Sequence, residues 1–176
     1  MISPKGFLGA CSLALALSLS ACGGSGSAAP ASSSLEQAAN AGYGFTYEGQ
    51  RYLPGADAEE TLKLLGEPTG ARDVNNCARG AVRKAYSYGD KDFEVFADLN
   101  EAETKDVIQT ITLMSDRVST EEGLSVGDEE SRITEVYPDA AEKDGDYVTA
   151  KDGTELVISV NRLRKTVSYI TYRTAE

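Results

Sequence analysis

Cys22 is the residue in this chain whose chemistry is easiest to read. It closes the run Leu19-Ser20-Ala21-Cys22, which follows an apolar stretch over 7–19 rich in Leu and Ala, with Lys5 ahead of it. A positive start, a short apolar run and small residues before a cut site make an export signal, too short to span a bilayer stably. The four-residue pattern predicts cleavage after Ala21 and a lipid on the sulfur of the new N-terminal Cys22. Gly23 in the next position is not an inner-membrane retention signal of the Asp type.

The other reactive side chains are sparse. The chain has no His, so His-based triads, His zinc sites and the commonest base near neutral pH are excluded. There is no Ser-x-x-Lys and no Walker loop. Of three Cys, Cys11 lies in the signal and Cys22 takes the lipid, which leaves Cys77 without an intramolecular partner. A leftover Cys in an exported protein is either a free or intermolecular thiol or a buried small hydrophobe, and both readings stand. Asp90-x-Asp92-x-Glu94 has alternating carboxylates but lacks the Gly of a calcium loop. The alternation predicts a solvated strand face. Asp139, Glu142, Asp144 and Asp146 read as a solvated acidic loop. No metal, no cofactor and no enzymatic activity are expected.

The binding chemistry is richer. Nine Tyr stand against four Phe, and basic clusters at Arg79/Arg83/Lys84 and Arg162/Arg164/Lys165 interrupt an acidic chain of formal charge −11. Tyr and Arg are favoured at interface hot spots. Tyr86, Tyr88, Tyr169, Tyr172, Arg162 and Arg164 are therefore the candidate binding face, if the strands that carry them share a surface. The net charge disfavours nucleic acid as a partner.

The elements that must position these residues follow from turn signals and periodicity. Residues 23–34, Gly- and Ser-rich and uncharged, predict a flexible coil, and from Cys22 to Gly42 such a coil averages about 25 Å end to end. Asp57 is placed to cap a helix that ends at Gly66-Glu67-Pro68, and Asp128 to cap a second that ends at Tyr137-Pro138. Strand patterns follow each helix: 84–88, 92–98 and 107–113, then 146–149, 155–160 and 166–172. Asp152-Gly153 predicts a two-residue hairpin turn. Placing Gly55 on Gly127 matches Leu64 with Val136 and Leu65 with Tyr137. Helix, strand, strand, strand, used twice, predicts antiparallel meanders.

The motif Gly55-Ala56-x-x-Glu59-x-x-Leu62-x-x-Leu65-Gly66-Glu67-Pro68 resembles the helix opening of the SmpA/OmlA type of small bacterial lipoprotein. The doubled arrangement resembles the β-lactamase inhibitor protein. The region 52–172 is also similar to lipoproteins of Gram-positive anaerobes, through segments like Asn76-Cys77-Ala78 and the linker from Val118 through Glu121-Glu122-Gly123 to Asp128. The resemblance implies an α+β fold of two tandem helix-plus-antiparallel-sheet repeats. Its parts are a signal peptide over 1–21, a lipidated Cys and tether over 22–42, a first repeat over 43–117 and a second over 118–176. The expected function is that of a membrane-anchored, extracytoplasmic, non-catalytic module that binds or assembles another protein. The alternatives are a cell-attached inhibitor of a secreted hydrolase, working through the 99–106 loop, and a small-ligand sensor. Scaffold likeness alone does not choose among them.

Overall fold

The computed structural model describes residues 42–76, 81–100, 102 and 104–175. The expected signal peptide, Cys22, the tether and Cys77 lie outside them. A small hairpin of β1 (Phe45–Tyr47) and β2 (Gln50–Tyr52) comes first, turning at Glu48-Gly49, both of positive φ. Helix α1 (Ala58–Leu65) follows. Then come β3 (Gly70–Asn76), β4 (Ala81–Tyr88), β5 (Phe93–Leu99) and β6 (Asp106–Leu113). Helix α2 (Glu130–Val136) precedes β7 (Ala141–Lys143), β8 (Asp146–Lys151), β9 (Thr154–Asn161) and β10 (Thr166–Thr174). Strands β3 to β10 form one antiparallel sheet in the order β3-β4-β5-β6-β10-β9-β8-β7.

This corrects the expected fold class. About half of the described residues are strand, and the helices are only eight and seven residues long. The halves do not build separate helix-plus-sheet units. β6 pairs directly with β10, Ile170 opposite Leu113 and Tyr172 opposite Ile111, so one sheet crosses the boundary expected at 117/118. The physical reason lies in composition. Gly66 and Pro68 stop α1 after two turns and Pro138 stands two residues past the end of α2, while the β-branched and aromatic runs elsewhere favour extended chain. The sequence reading also lacked β1, β2, β3 and β7.

The helix caps divide in the same way. Asp57 accepts a hydrogen bond from the Glu60 N–H at 3.1 Å, as a capping Asp should. Asp128 does not cap α2. Its carboxylate takes the Ser125 N–H at 2.9 Å, and Glu129 stands at the cap position without a side-chain bond. Both helix entries are tied to the sheet by paired backbone bonds. Gly55 N–H donates to the Ile108 carbonyl and Ile108 N–H to that of Ala56; Gly127 donates to Val167 and Val167 to Asp128.

One sheet face carries the core. Phe93, Val95, Ile108, Ile111, Leu113, Leu156, Ile158, Ile170 and Tyr172 point toward it and are buried. Phe45 and Tyr52 of the hairpin, Ala58 of α1, Ile133 of α2, and Leu124 and Tyr137 beside α2 close it from above. Phe93 is the hub: its ring lies 4.8 Å from those of Phe45 and Tyr47 and stacks at 5.2 Å on Tyr88. Pairs such as these add to simple burial.

Candidate binding surface

The second face of the sheet is the one the helices leave uncovered. Register assigns its residues: Ala85 stands opposite Phe96 and Arg72, Phe96 opposite Thr110, Glu94 opposite Thr112, and Thr171 opposite Thr112 and Val157. The Arg72 guanidinium reaches Glu94 at 2.8 Å and lies 5.8 Å over the Phe96 ring. Ser87 donates a second hydrogen bond to Glu94. Thr112 and Thr171 hydroxyls meet at 3.2 Å, and Arg173 pairs with Glu155. Tyr169, 48% exposed, stands on this face. The surface is mixed: paired charges stand among threonine, aromatic and aliphatic side chains.

The six residues read from sequence as one binding face do not come together. Tyr86 and Tyr88 project to the core face, as Tyr86 pairs with Val95 and Tyr88 with Phe93. Tyr88 and Tyr172 are buried, and neither hydroxyl has a hydrogen-bond partner among the described residues. Burial pushes the Tyr88 hydroxyl up to about 12 and raises that of Tyr172 further. Only Tyr169 faces outward on the open sheet face. Arg162 and Arg164 sit in the β9–β10 turn, at the end of the sheet. The carboxylates expected on a solvated face are also redistributed. Glu94 and Asp92 are both buried, and only Asp90 is solvated. Asp92 takes hydrogen bonds from the Ser115 hydroxyl and from Arg117 Nε, each at 2.6 Å. Of the acidic loop, Glu142 pairs with Arg162 at 2.7 Å.

Two concavities flank the helix entries on the core side. The first, of about 530 Å³, lies between the start of α1 and strands β4 to β6. Ala58, Leu62, Tyr86 and Ala97 give it an apolar floor, and Asp57 is bound across it to Lys105 at 3.1 Å. The Glu60 N–H, then Lys105, holds the Asp57 carboxyl below its usual range. Leu99, Lys105 and Asp106 of the loop once favoured as an inhibitory element form its rim. The second, of about 520 Å³, is lined by Glu129, Glu130, Ser131, Thr134, Tyr147, Arg164 and Lys165. Among the described residues, no group of three or more His, Cys, Asp or Glu is placed to hold a metal ion.

A nucleophile elbow is not expected in this chain, yet Gly123-Leu124-Ser125-Val126-Gly127 has its Gly-x-Ser-x-Gly spacing. The structure gives it no such role. It lies in the linker before α2, not on a strand-to-helix turn; Leu124 is buried, and Ser125 is held by Asp128. The second omission is the outer edge of β3. Its seven residues pair with β4 in unbroken register from Gly70 to Asn76, and no described strand pairs with its other side. At the opposite end of the sheet, β7 is three residues long and carries Glu142 and Lys143. A short, charged edge strand resists further pairing, whereas a long regular one invites it.

No family model matches this chain, and no curated protein does. A solved structure similar to it is a cysteine-rich secretory protein from Staphylococcus aureus subsp. aureus Mu50, at 12% identity and a TM-score of 0.45. The match covers 69% of this chain and 43% of that one, so the chain spans less than half the length of that protein. At this level the likeness carries no argument about activity.

Proposed function

We propose that this chain is a membrane-anchored extracytoplasmic lipoprotein whose folded part binds another protein and performs no catalysis. The supporting observation is the contrast between the two sheet edges. Strand β3 leaves a row of backbone donors and acceptors without a described strand partner, with Ala71, Arg72 and Asp73 exposed beside it. An extended partner segment laid along β3 would gain main-chain hydrogen bonds, and the alternating side chains would select its sequence. The lack of His throughout the chain supports a role without acid–base chemistry.

The test is site-directed photocrosslinking in cells. A benzophenone amino acid at Ala71 should give a discrete protein adduct, and the same group at Ala141 on β7 should not. Equal labelling at both edges, or none at Ala71, sinks the strand-addition reading. The anchor is tested separately. Cys22→Ala should leave the precursor uncleaved at this site and abolish partitioning into a detergent phase; normal processing and partitioning would refute lipidation.

A further inference from the structure

The β9–β10 turn is the most exposed apolar point among the described residues. Leu163 is 97% exposed, against 58% for Leu64 and 48% for Tyr169. Single exposed leucines are ordinary on protein surfaces. What separates Leu163 is the bracing around it. The Asn161 side-chain oxygen takes the N–H groups of both Leu163 and Arg164 at 3.1 Å. The Asn161 carbonyl takes the Lys165 N–H at 2.8 Å, with Lys165 at a φ of 57°. Arg162 is bound to Glu130 at 3.2 Å, to Glu142 at 2.7 Å and to the Gly145 carbonyl. Lys165 pairs with Glu130 at 3.1 Å, and the Tyr147 hydroxyl donates to the same carboxylate. The turn is thus fastened to α2 and to the β7–β8 turn, and it holds one Leu in water.

Arg164 is the exception in this network. Its side chain is exposed and forms no ion pair among the described residues. The position of the turn matters as well. The described chain begins at Gly42, where the Tyr43 N–H meets the Thr154 hydroxyl at the start of β9. The β9–β10 turn lies at the other end of that eight-residue strand, about 23 Å away at the rise of extended chain. It stands at the opposite end of β9 from the point where the described chain begins.

We propose that this turn is a recognition tip: Leu163 enters an apolar pocket on a partner protein, and Arg164 pairs with a carboxylate on the pocket rim. A preformed tip gives up little conformational freedom on binding, which is where flexible loops lose affinity. Within this braced turn Arg164 is the cation left without an ion pair, next to Leu163, and its charge sets the sign of the partner's rim. The inference rests on the protein-binding reading above and adds a second contact, remote from β3.

The test places a benzophenone amino acid at position 163 of the full-length protein in cells, with position 64 on α1 as the exposed control. The expected result is one discrete protein adduct at 163 and none at 64, reduced about tenfold by Arg164→Glu. Mass spectrometry of the adduct should place the crosslink in a segment of the partner containing Asp or Glu. Arg164→Glu removes no described side-chain contact, so an unchanged melting temperature shows that loss of capture is not loss of fold. Adducts to lipid alone, a protein adduct indifferent to Arg164→Glu, or no adduct overturns the proposal. Capture at Ala71 without capture at 163 leaves protein binding standing and removes the tip.

Discussion

Phe93→Ala should cost about 4 kcal/mol of folding free energy, the middle of the range for a buried Phe. The side chain has no exposed surface and is touched by the rings of Phe45, Tyr47 and Tyr88. Two of those rings come from β1. Truncation therefore opens a cavity and also takes away the platform on which the first hairpin sits. A domain of this size has about 5–15 kcal/mol in total, so one methyl in place of one ring removes a large share. Urea unfolding followed by tyrosine fluorescence measures it as a lowered midpoint. A loss below about 1 kcal/mol would mean that the aromatic cluster is not the keystone of the core.

The second large effect is at Asp92. This carboxylate ties the β4–β5 turn to the segment after β6 through Ser115 and Arg117, and its surroundings are crowded enough that a Cβ on Gly89 would fall 2.1 Å from Oδ2. Asp92→Ala leaves Ser115 and Arg117 Nε without this acceptor, and we expect a loss of about 2–3 kcal/mol. The Ser115 hydroxyl first, and then Arg117, hold the Asp92 carboxyl below its ordinary range. The sign of the pH effect follows. A carboxyl depressed in the folded state contributes its stability in full above the unfolded pKa, about 3.9, and that contribution disappears as pH falls through the folded value. Unfolding free energy measured from pH 6 down to pH 2 should fall more steeply below about pH 4 in the native protein than in Asp92→Asn. Parallel curves would show that this ion pair does not contribute to acid sensitivity.

What could be read from sequence was read where chemistry is local. Phe93/Val95/Ala97 and Leu156/Ile158/Val160 alternate because one side of each strand faces the core, and that period survives without any knowledge of neighbours. Asp152-Gly153 does make the hairpin turn, with both residues at positive φ. Strand β3 escaped because Gly70-Ala71-Arg72-Asp73 is exposed along its length and has no apolar rhythm to detect. The tyrosines were misgrouped for a related reason. Alternation separates the faces of a strand but does not say which face a helix will cover, so the buried Tyr88 and Tyr172 were indistinguishable from the exposed Tyr169. The buried carboxylates were misjudged because their partners are remote: Arg117 is 25 positions from Asp92 and Arg72 is 22 from Glu94. At the β9–β10 turn the sequence shows one apolar residue among three cations between two strand patterns; the bracing by Asn161 and Glu130 is long-range or side-chain geometry that it does not show.

Both ends of the described chain meet at one hairpin turn: Tyr43 is bonded to Thr154, and the Ala175 N–H donates to the Gly153 carbonyl. Mechanical load applied between them would not run through the length of the sheet. Pulled apart at that turn, the strands separate by unzipping, a few bonds at a time, and not by shear of a whole ladder at once. The first structure to yield would be the β1–β2 hairpin, which shares no ladder with the large sheet and is secured at its base by Arg51, bound to Glu121 and to the Gly42 carbonyl. A domain built in this way is mechanically soft where its two described ends meet.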